Sequence, residues 1–139
     1  ASLRALRTDR VDVLLIHRPD WLMEPDALAA TFAELRAAGK VLHVGVSNHR
    51  PSQLALLHRR HPVVTHQIEL SPLALQALDD GTLDQCLDLG LRPMIWSPLA
   101  GGRLFTADDE RARRVRGVLA AIAAERGTTA AAVAFAWIA

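Results

Sequence analysis

The sequence has no tyrosine, one lysine and one cysteine among its 139 residues. The single cysteine, Cys86, excludes an internal disulfide and suits a reducing compartment, so we expect a cytoplasmic protein. Because Cys86 falls within a helical pattern, we expect a buried thiol rather than a reactive one. No apolar run approaches the roughly 20 residues that a transmembrane helix needs, which argues against a membrane protein.

The charges are nearly balanced, with 16 basic and 15 acidic residues and a net charge of +1. This balance argues against the partners that attract strongly basic proteins, namely nucleic acids and acidic membrane surfaces. Half of the residues are hydrophobic, which indicates a globular chain rather than a disordered one. The length suffices for a hydrophobic core, and we interpret residues 1–139 as one domain.

Short apolar runs alternate with longer segments of helical periodicity. This alternation predicts an α/β fold with a parallel sheet, because parallel strands need crossover connections. The strands are predicted at residues 11–16, 41–46, 63–69 and 91–97. Their starts repeat about every 22–30 residues, as do the βα units of a barrel or a doubly wound sheet. A complete barrel takes ~250 residues, so four βα units make about half of one, and the pattern is cut at both ends.

The predicted helices have recognisable start and stop residues. Pro25 suits the first turn of a helix with Leu28, Phe32 and Leu35 on one face, and Gly39 suits its end.

The last third of the chain is predicted to contain a flexible loop and two helices. The loop covers residues 100–103, and Thr106 is predicted to cap a helix over residues 108–126. Thr128 or Thr129 is predicted to cap the final helix.

Polar side chains stand where the predicted strands end. They are His17, Ser47, Asn48, Gln67 and Ser97. Because parallel strands end at the same edge, we expect these residues on the rim where α/β folds bind ligands. Carboxamides offer both a donor and an acceptor, so Asn48 and Gln67 could clamp another amide. Two alternatives stay open, since His17 could be structural and Ser47-Asn48 could cap the helix that Pro51 begins.

Trp96 and the segment after it suggest a second group of ligand contacts. The tryptophan is either a core residue or a flat surface for a ring-shaped ligand. Residues 97–103 (SPLAGGR) combine backbone N–H groups, a hydroxyl and a cation, which suit a diphosphate, although a Gly-Gly loop alone is weak evidence.

The other histidines do not have the spacing of a metal site, and we expect no metal. His58 and His61 flank two arginines at a predicted helix end. Solvated cations favoured by the helix dipole are the expected state of both.

Four segments resemble consecutive motifs of the aldo-keto reductases. They are residues 13–20 (VLLIHRPD), 39–48 (GKVLHVGVSN), 67–72 (QIELSP) and 96–104 (WSPLAGGRL). The resemblance covers nearly the whole chain, and four motifs in the family's order are more specific than any one of them. It implies part of a (β/α)8 TIM barrel, about strands four to seven, from a bacterial oxidoreductase that reduces aldehydes or ketones with NADPH.

The resemblance also implies roles for individual residues. His17 would be the catalytic histidine that orients the substrate carbonyl. The residues that would hold the nicotinamide are Ser47, Asn48 and Gln67 at its carboxamide and Trp96 against its ring. The residues in the segment that would wrap the diphosphate are Ser97, Leu99, Gly101 and Arg103.

The chain departs from the family pattern in several places. His49 stands where phenylalanine is common, and His66 where asparagine often precedes glutamine. The family's catalytic aspartate, tyrosine and lysine come before the region represented here. The only lysine, Lys40, begins a strand and should lie at the end of the sheet opposite His17. Because general acid catalysis contributes ~10²–10⁴-fold, we expect little or no turnover from this segment alone.

Three hypotheses therefore remain. The chain is a segment of a longer reductase that acts on small carbonyl compounds, or it is a truncated, non-catalytic nucleotide-binding protein. In the third, two copies self-associate through exposed sheet edges to close an eight-stranded barrel, because open edges favour pairing.

Overall fold

The computed structural model describes residues 2–139, in which strands alternate with helices. In this range the strands β1–β4 span Val11–Ile16, Val41–Ser47, His66–Glu69 and Met94–Trp96. The α-helices α1–α8 span Ser2–Leu6, Pro25–Ala37, Pro51–His58, Gln76–Asp79, Thr82–Asp88, Arg103–Thr106, Glu110–Arg126 and Ala130–Ile138. The strands lie in the order β1-β2-β3-β4 in one sheet, which confirms the predicted α/β fold of four parallel strands.

The strands pair in parallel, with β1 and β2 aligned from their first residues and β3 beginning beside Val46 of β2. The register runs from Val11 beside Val41 to Ile16 beside Val46, and on the far side of β2 it places Ser47 beside Gln67. Each strand is the spatial neighbour of the next strand in the chain, as in successive βα units of a (β/α)8 barrel.

The first strand and first long helix have the predicted limits, whereas β3 and β4 are shorter than predicted. Before β3, Val64 N and Thr65 O still hydrogen-bond to the backbone of β2 at 2.9 and 3.1 Å, but regular extended structure begins only at His66. Pro93 precedes β4 and has no N–H to donate, which prevents a longer ladder on that side.

The structure divides into two compact units, of which the first contains the residues up to Gln67 and residues 82–94. Its core packs the helical side of the sheet against α2 and α3. The buried members are Phe32, Val41, Val44, Val46, Leu54, Leu57, Val63, Cys86 and Leu91. The predicted stripe on α2 is confirmed, since Leu28 and Leu35 pack against this core. Cys86 is 1% exposed, and burial raises the pKa of its thiol, in agreement with a structural role.

The second unit contains residues 68–81 and 95–139. Its core joins α6, α7 and α8 through Leu104, Leu119 and Ala134. The expectation that Thr106 caps the long helix is wrong, because Asp109 occupies that position and its Oδ1 accepts the Ala112 N–H at 2.9 Å.

Two further predictions for this unit concern the start of α8 and the loop before α6. Thr129 caps α8 as predicted, with its hydroxyl accepting the Ala132 N–H at 3.1 Å. The predicted flexible loop is instead a turn of 3₁₀ helix over Ala100–Gly102 followed directly by α6. In this turn the Ala100 N–H donates to the Ser97 carbonyl at 2.7 Å and the Gly102 N–H donates to the Leu99 carbonyl at 3.0 Å.

His61 is not the solvated cation that the sequence predicts. It is 8% exposed, and its ring lies 5.5 Å from that of Phe32. Burial, followed by the positive charge of Arg36, lowers the pKa of His61 below 6.5. Nearby, His58 Nδ1 accepts the Val63 N–H at 3.3 Å. Long-range packing between α2 and the end of α3 therefore overrides the helix-dipole argument.

Acid is expected to destabilise the first unit through its buried histidines. Burial also lowers the pKa of His49, so both His49 and His61 bind fewer protons when folded than when unfolded. Their contribution is complete above the ordinary value of 6.5 and is lost as the pH falls below it. We expect the melting temperature, measured by circular dichroism, to fall from about pH 7 to about pH 5.

Substitution of His61 tests whether this residue contributes to the fall in melting temperature at low pH. His61→Leu should make this decline shallower, whereas His43→Leu, at an exposed position of β2, tests whether losing any histidine does the same. A decline equally steep in His61→Leu and the wild type would contradict the assignment to His61.

Within residues 2–139, no single helix is both long and apolar enough to cross a membrane. Helices α7 and α8 meet that test only as a pair, which is bent by 100°.

Candidate functional site

The carboxyl ends of β1 and β2 and the first residues of β3 bring the first group of predicted site residues together. Ser47 lies beside Gln67 in the register, and His17 follows Ile16, which pairs with Val46. His17, Ser47 and Gln67 therefore occupy corresponding positions on three neighbouring strands, one step beyond the row that contains Ile16. The shared edge predicted from the sequence is present in the first unit.

Asn48 connects these three strand ends. Its Nδ2 donates to Ser47 Oγ at 2.9 Å and to the His17 carbonyl at 3.3 Å, and its backbone N–H donates to the Gln67 carbonyl at 3.0 Å. Its φ of 57° is left-handed, a conformation that asparagine tolerates better than most residues. Strained backbone of this kind is concentrated at functional sites.

The alternative role of Ser47 and Asn48 as helix caps is not what the structure shows. The residue before α3 is Arg50, whose N–H donates to Gln53 Oε1 at 2.9 Å. Ser47 is the last residue of β2 and is 1% exposed, so its hydroxyl orients Asn48 from below the surface. Asn48 itself is exposed, as is His17.

The loop after β1 carries an exposed aromatic contact that sequence reasoning missed. Trp21 is 75% exposed, and the guanidinium of Arg50 lies 5.0 Å from the centre of its ring. This cation–π pair ties the loop that follows His17 to the turn that follows Asn48. The only signal in the sequence is a tryptophan directly after Pro19-Asp20.

Two buried histidines lie next to Asn48. His49 is 3% and His66 1% exposed, and the His49 N–H donates to His66 Nε2 at 3.1 Å. His49 Nδ1 lies 2.9 Å from the Ser47 carbonyl. The two departures from the family pattern noted in the sequence are therefore in direct contact.

The second group of predicted site residues lies in the second unit. Trp96 and Ser97 are half-buried, and Ser97 has a left-handed φ of 52°. Leu99 packs its side chain against the core of this unit, and its carbonyl accepts the N–H groups of Gly102 and Leu104 at 3.0 and 3.3 Å. Leu99 therefore shapes the 3₁₀ turn with its carbonyl and anchors it with its side chain.

Positive φ angles recur in this turn, which is followed by the exposed side chain of Arg103. Gly101 and Gly102 have φ of 63° and 90°, which explains why glycine is needed there. The Arg103 guanidinium is exposed and lies 3.9 Å from the carboxylate of Asp109. The Ala112 N–H and, to a smaller extent, Arg103 hold the pKa of Asp109 below its usual value. Arg103 thus has one weak, solvent-screened partner that an anionic ligand could replace.

Among residues 2–139, no group of three or more His, Cys, Asp and Glu side chains is placed to hold a metal ion.

Comparisons with known proteins identify the family of this chain. The sequence model of the "Aldo/keto reductase family" matches residues 1–139. The chain is 48% identical over 140 residues to "Oxidoreductase YdhF" of Escherichia coli, covering 99% of this chain and 46% of that protein. It is 46% identical over 140 residues to "Uncharacterized oxidoreductase YcsN" of Bacillus subtilis, covering 99% and 47%.

A solved structure shows the same fold. An aldo/keto reductase from Klebsiella pneumoniae, in complex with NADP and acetate, superimposes with a TM-score of 0.82 and 27% identity over 98% of this chain and 47% of that one. The chain thus spans about half the length of the curated relatives it matches. On the match of its whole length to the family model, the chain is a member of the aldo/keto reductase family, and its four-stranded sheet is part of a (β/α)8 barrel.

Proposed function

We propose that this chain supplies the nicotinamide-binding side of an NADPH-dependent reductase of small aldehydes or ketones. The observation that carries the proposal is Asn48, an exposed carboxamide held by the ends of all three neighbouring strands. The family membership and the relatives named as oxidoreductases support carbonyl reduction. The Klebsiella pneumoniae protein, whose structure contains NADP, supports the choice of cofactor.

In this proposal Asn48 and Gln67 bind the nicotinamide carboxamide. An amide both donates and accepts, so two protein carboxamides match it better than charged groups would. Ser47 contributes by fixing the Nδ2 group of Asn48. His17 stands exposed at the end of β1, where a neutral imidazole would donate a hydrogen bond to the substrate oxygen and orient the carbonyl.

The proposal also assigns roles to residues of the second unit. Trp96 would stack on the nicotinamide ring, and the segment from Ser97 through Leu99 and Gly101 to Arg103 would hold the diphosphate. The hydroxyl of Ser97 and the exposed guanidinium of Arg103 are suitable donors for phosphate oxygens.

The acid that protonates the developing alkoxide must come from outside these 139 residues. The sequence contains no tyrosine. The only lysine, Lys40, precedes β2 at the end where Val11 pairs with Val41, whereas His17 follows β1 at the other end. Six residues of strand separate these ends by about 20 Å. The reductase activity therefore belongs to a complete barrel, and we place that barrel in the cytoplasm because its buried thiol suits a reducing compartment.

Self-association is the second candidate. The strand order leaves β1 and β4 each with one unpaired edge in the described sheet, and paired copies would cover both edges. Light scattering that shows only monomer would exclude this arrangement.

Cofactor binding tests the principal proposal. NADPH is titrated against tryptophan fluorescence, in parallel with an analogue in which a methyl group replaces the amide nitrogen of the carboxamide. The Asn48→Gly variant removes the side chain and still permits the left-handed backbone. We expect it to raise the Kd of NADPH about tenfold and to leave that of the analogue nearly unchanged.

The matched control is Gln76→Ala, which removes an exposed carboxamide from α4. It should leave both dissociation constants unchanged. The absence of quenching by NADPH at millimolar concentration in the wild type would contradict the proposal.

A further inference from the structure

The backbone on both sides of Asn48 is fastened by two buried imidazoles. On one side, the Ser47 carbonyl lies 2.9 Å from His49 Nδ1. On the other side, the His49 N–H donates to His66 Nε2 at 3.1 Å. The two rings meet edge to face with their centres 6.4 Å apart. His66 is adjacent to Gln67, so the contact joins both elements of the proposed carboxamide clamp.

These contacts determine the tautomer of each ring. A carbonyl can only accept, so His49 Nδ1 carries the proton. An N–H donates into His66 Nε2, so that nitrogen presents a lone pair. The lone pair on Nε2 makes the His66 ring neutral. For His49, burial lowers the pKa and favours the neutral ring, although the contact with the Ser47 carbonyl acts in the opposite direction.

Neither contact is needed to start the following helix. Arg50 is the residue before α3, and Gln53 already accepts its N–H. The His49 N–H lies outside that helix, and removal of His66 would leave it buried without this acceptor. The histidine pair thus acts on the turn of residues 47–49 rather than on α3.

We propose that His49 and His66 are positioning residues that hold the Ser47-Asn48 turn in the geometry that receives the nicotinamide carboxamide. The inference rests on the proposed cofactor site. Asn48 has a left-handed φ of 57°, which the turn must maintain against the ordinary preference of an L-residue. Releasing the His49 N–H would let Asn48 leave this conformation and would misplace its side chain relative to Gln67.

Two substitutions at one position separate the hydrogen bond from packing. In His66→Gln, the side-chain amide reaches about as far as Nε2 and can still accept the His49 N–H. In His66→Leu, a buried apolar side chain remains but no acceptor does. Hydrogen exchange of the His49 amide reports the contact directly and needs no cofactor. Fluorescence titration with NADPH and with its methyl-ketone analogue reports the clamp.

The expected results differ between the two variants. His66→Gln keeps the slow exchange of the His49 amide and the preference for NADPH over the analogue. His66→Leu loses both, with the Kd of NADPH about tenfold higher and that of the analogue unchanged. If His66→Leu does not fold, His66→Asn takes its place, because its amide is too short to reach the same N–H and should give the same losses.

Failure of the positioning role and failure of the proposed cofactor site give different results. A folded His66→Leu variant that retains the preference for NADPH overturns the positioning role. Wild-type protein that binds neither ligand, while its His49 amide remains protected, overturns the proposed cofactor site and with it this inference. Equal losses in His66→Gln and His66→Leu would show that imidazole packing, not the acceptor, is required, and would also overturn it.

Discussion

Gly45→Ala is expected to lower the free energy of unfolding by about 3 kcal/mol, at the upper end of the cost of overpacking a core. A Cβ at this position would lie 2.6 Å from Leu15 Cδ2, 2.7 Å from Thr65 Cγ2 and 2.8 Å from the Thr65 carbonyl oxygen. The leucine methyl could rotate away. The carbonyl cannot do so cheaply, because it accepts the Val46 N–H at 3.1 Å.

The damage should reach the candidate site. Gly45 lies two residues before Ser47 on β2, and its close neighbours are Leu15 of β1 and Thr65, the residue before β3. Strands forced apart at this point would weaken the register that places Ser47 beside Gln67. We therefore expect weaker NADPH binding in any fraction of the variant that folds.

The matched control is Gly117→Ala in the middle of α7. A Cβ there would meet no atom within 4 Å, and the helix gains from the better propensity of alanine. This variant should be more stable than the wild type by up to about 1 kcal/mol. Urea unfolding followed by circular dichroism measures both variants, and equal stability of the two would contradict the close strand packing described at Gly45.

The second large expected effect concerns the rate of carbonyl reduction. The 139-residue chain alone is expected to oxidise NADPH with a ketone at no measurable rate. A complete polypeptide in which these residues form part of a full barrel should be faster by at least the ~10²–10⁴-fold that a general acid contributes. The physical reason is that a newly formed alkoxide has no proton donor among these residues, which include no tyrosine and have Lys40 at the opposite end of the strands from His17.

A variant of the complete polypeptide separates His17 from the missing acid. His17→Ala removes the proposed donor to the substrate oxygen and should lower kcat by about 10²–10³-fold while leaving the Kd of NADPH unchanged. The loss of NADPH absorbance in the presence of a ketone measures the rate. Substantial turnover by the 139-residue chain alone would contradict the assignment of the acid to a region outside it.

Local patterns predicted the elements whose limits depend on neighbouring residues in the chain. The first strand begins after a turn and ends at a polar residue, and Val11–Ile16 is the strand observed. The cap of α7 was placed on Thr106 instead of Asp109, because both residue types cap helices and the intervening helix α6 was not foreseen. His61 was misjudged because its burial depends on Phe32, which is distant in sequence.

In the candidate site, too, some features could be predicted from local sequence and others could not. That Ser47 and Gln67 lie near each other follows from the parallel direction of their strands, and the observed register places them side by side. The contact between His49 and His66 could not be predicted, because 17 residues separate them and a left-handed turn at Asn48 directs one toward the other. The direction of the strands can be predicted from local sequence, whereas side-chain contacts across a turn depend on the dihedral angles of that turn.

Deuterium transfer tests the central claim most directly. The complete polypeptide is supplied with NADPH deuterated at the transferable position of the nicotinamide ring and with a ketone, and the alcohol product is analysed by mass spectrometry. A reductase that holds the nicotinamide against the substrate carbonyl should give an alcohol with one deuterium on the former carbonyl carbon. A folded, NADPH-binding polypeptide that gives no deuterated alcohol with any of a panel of small aldehydes and ketones would contradict the claim.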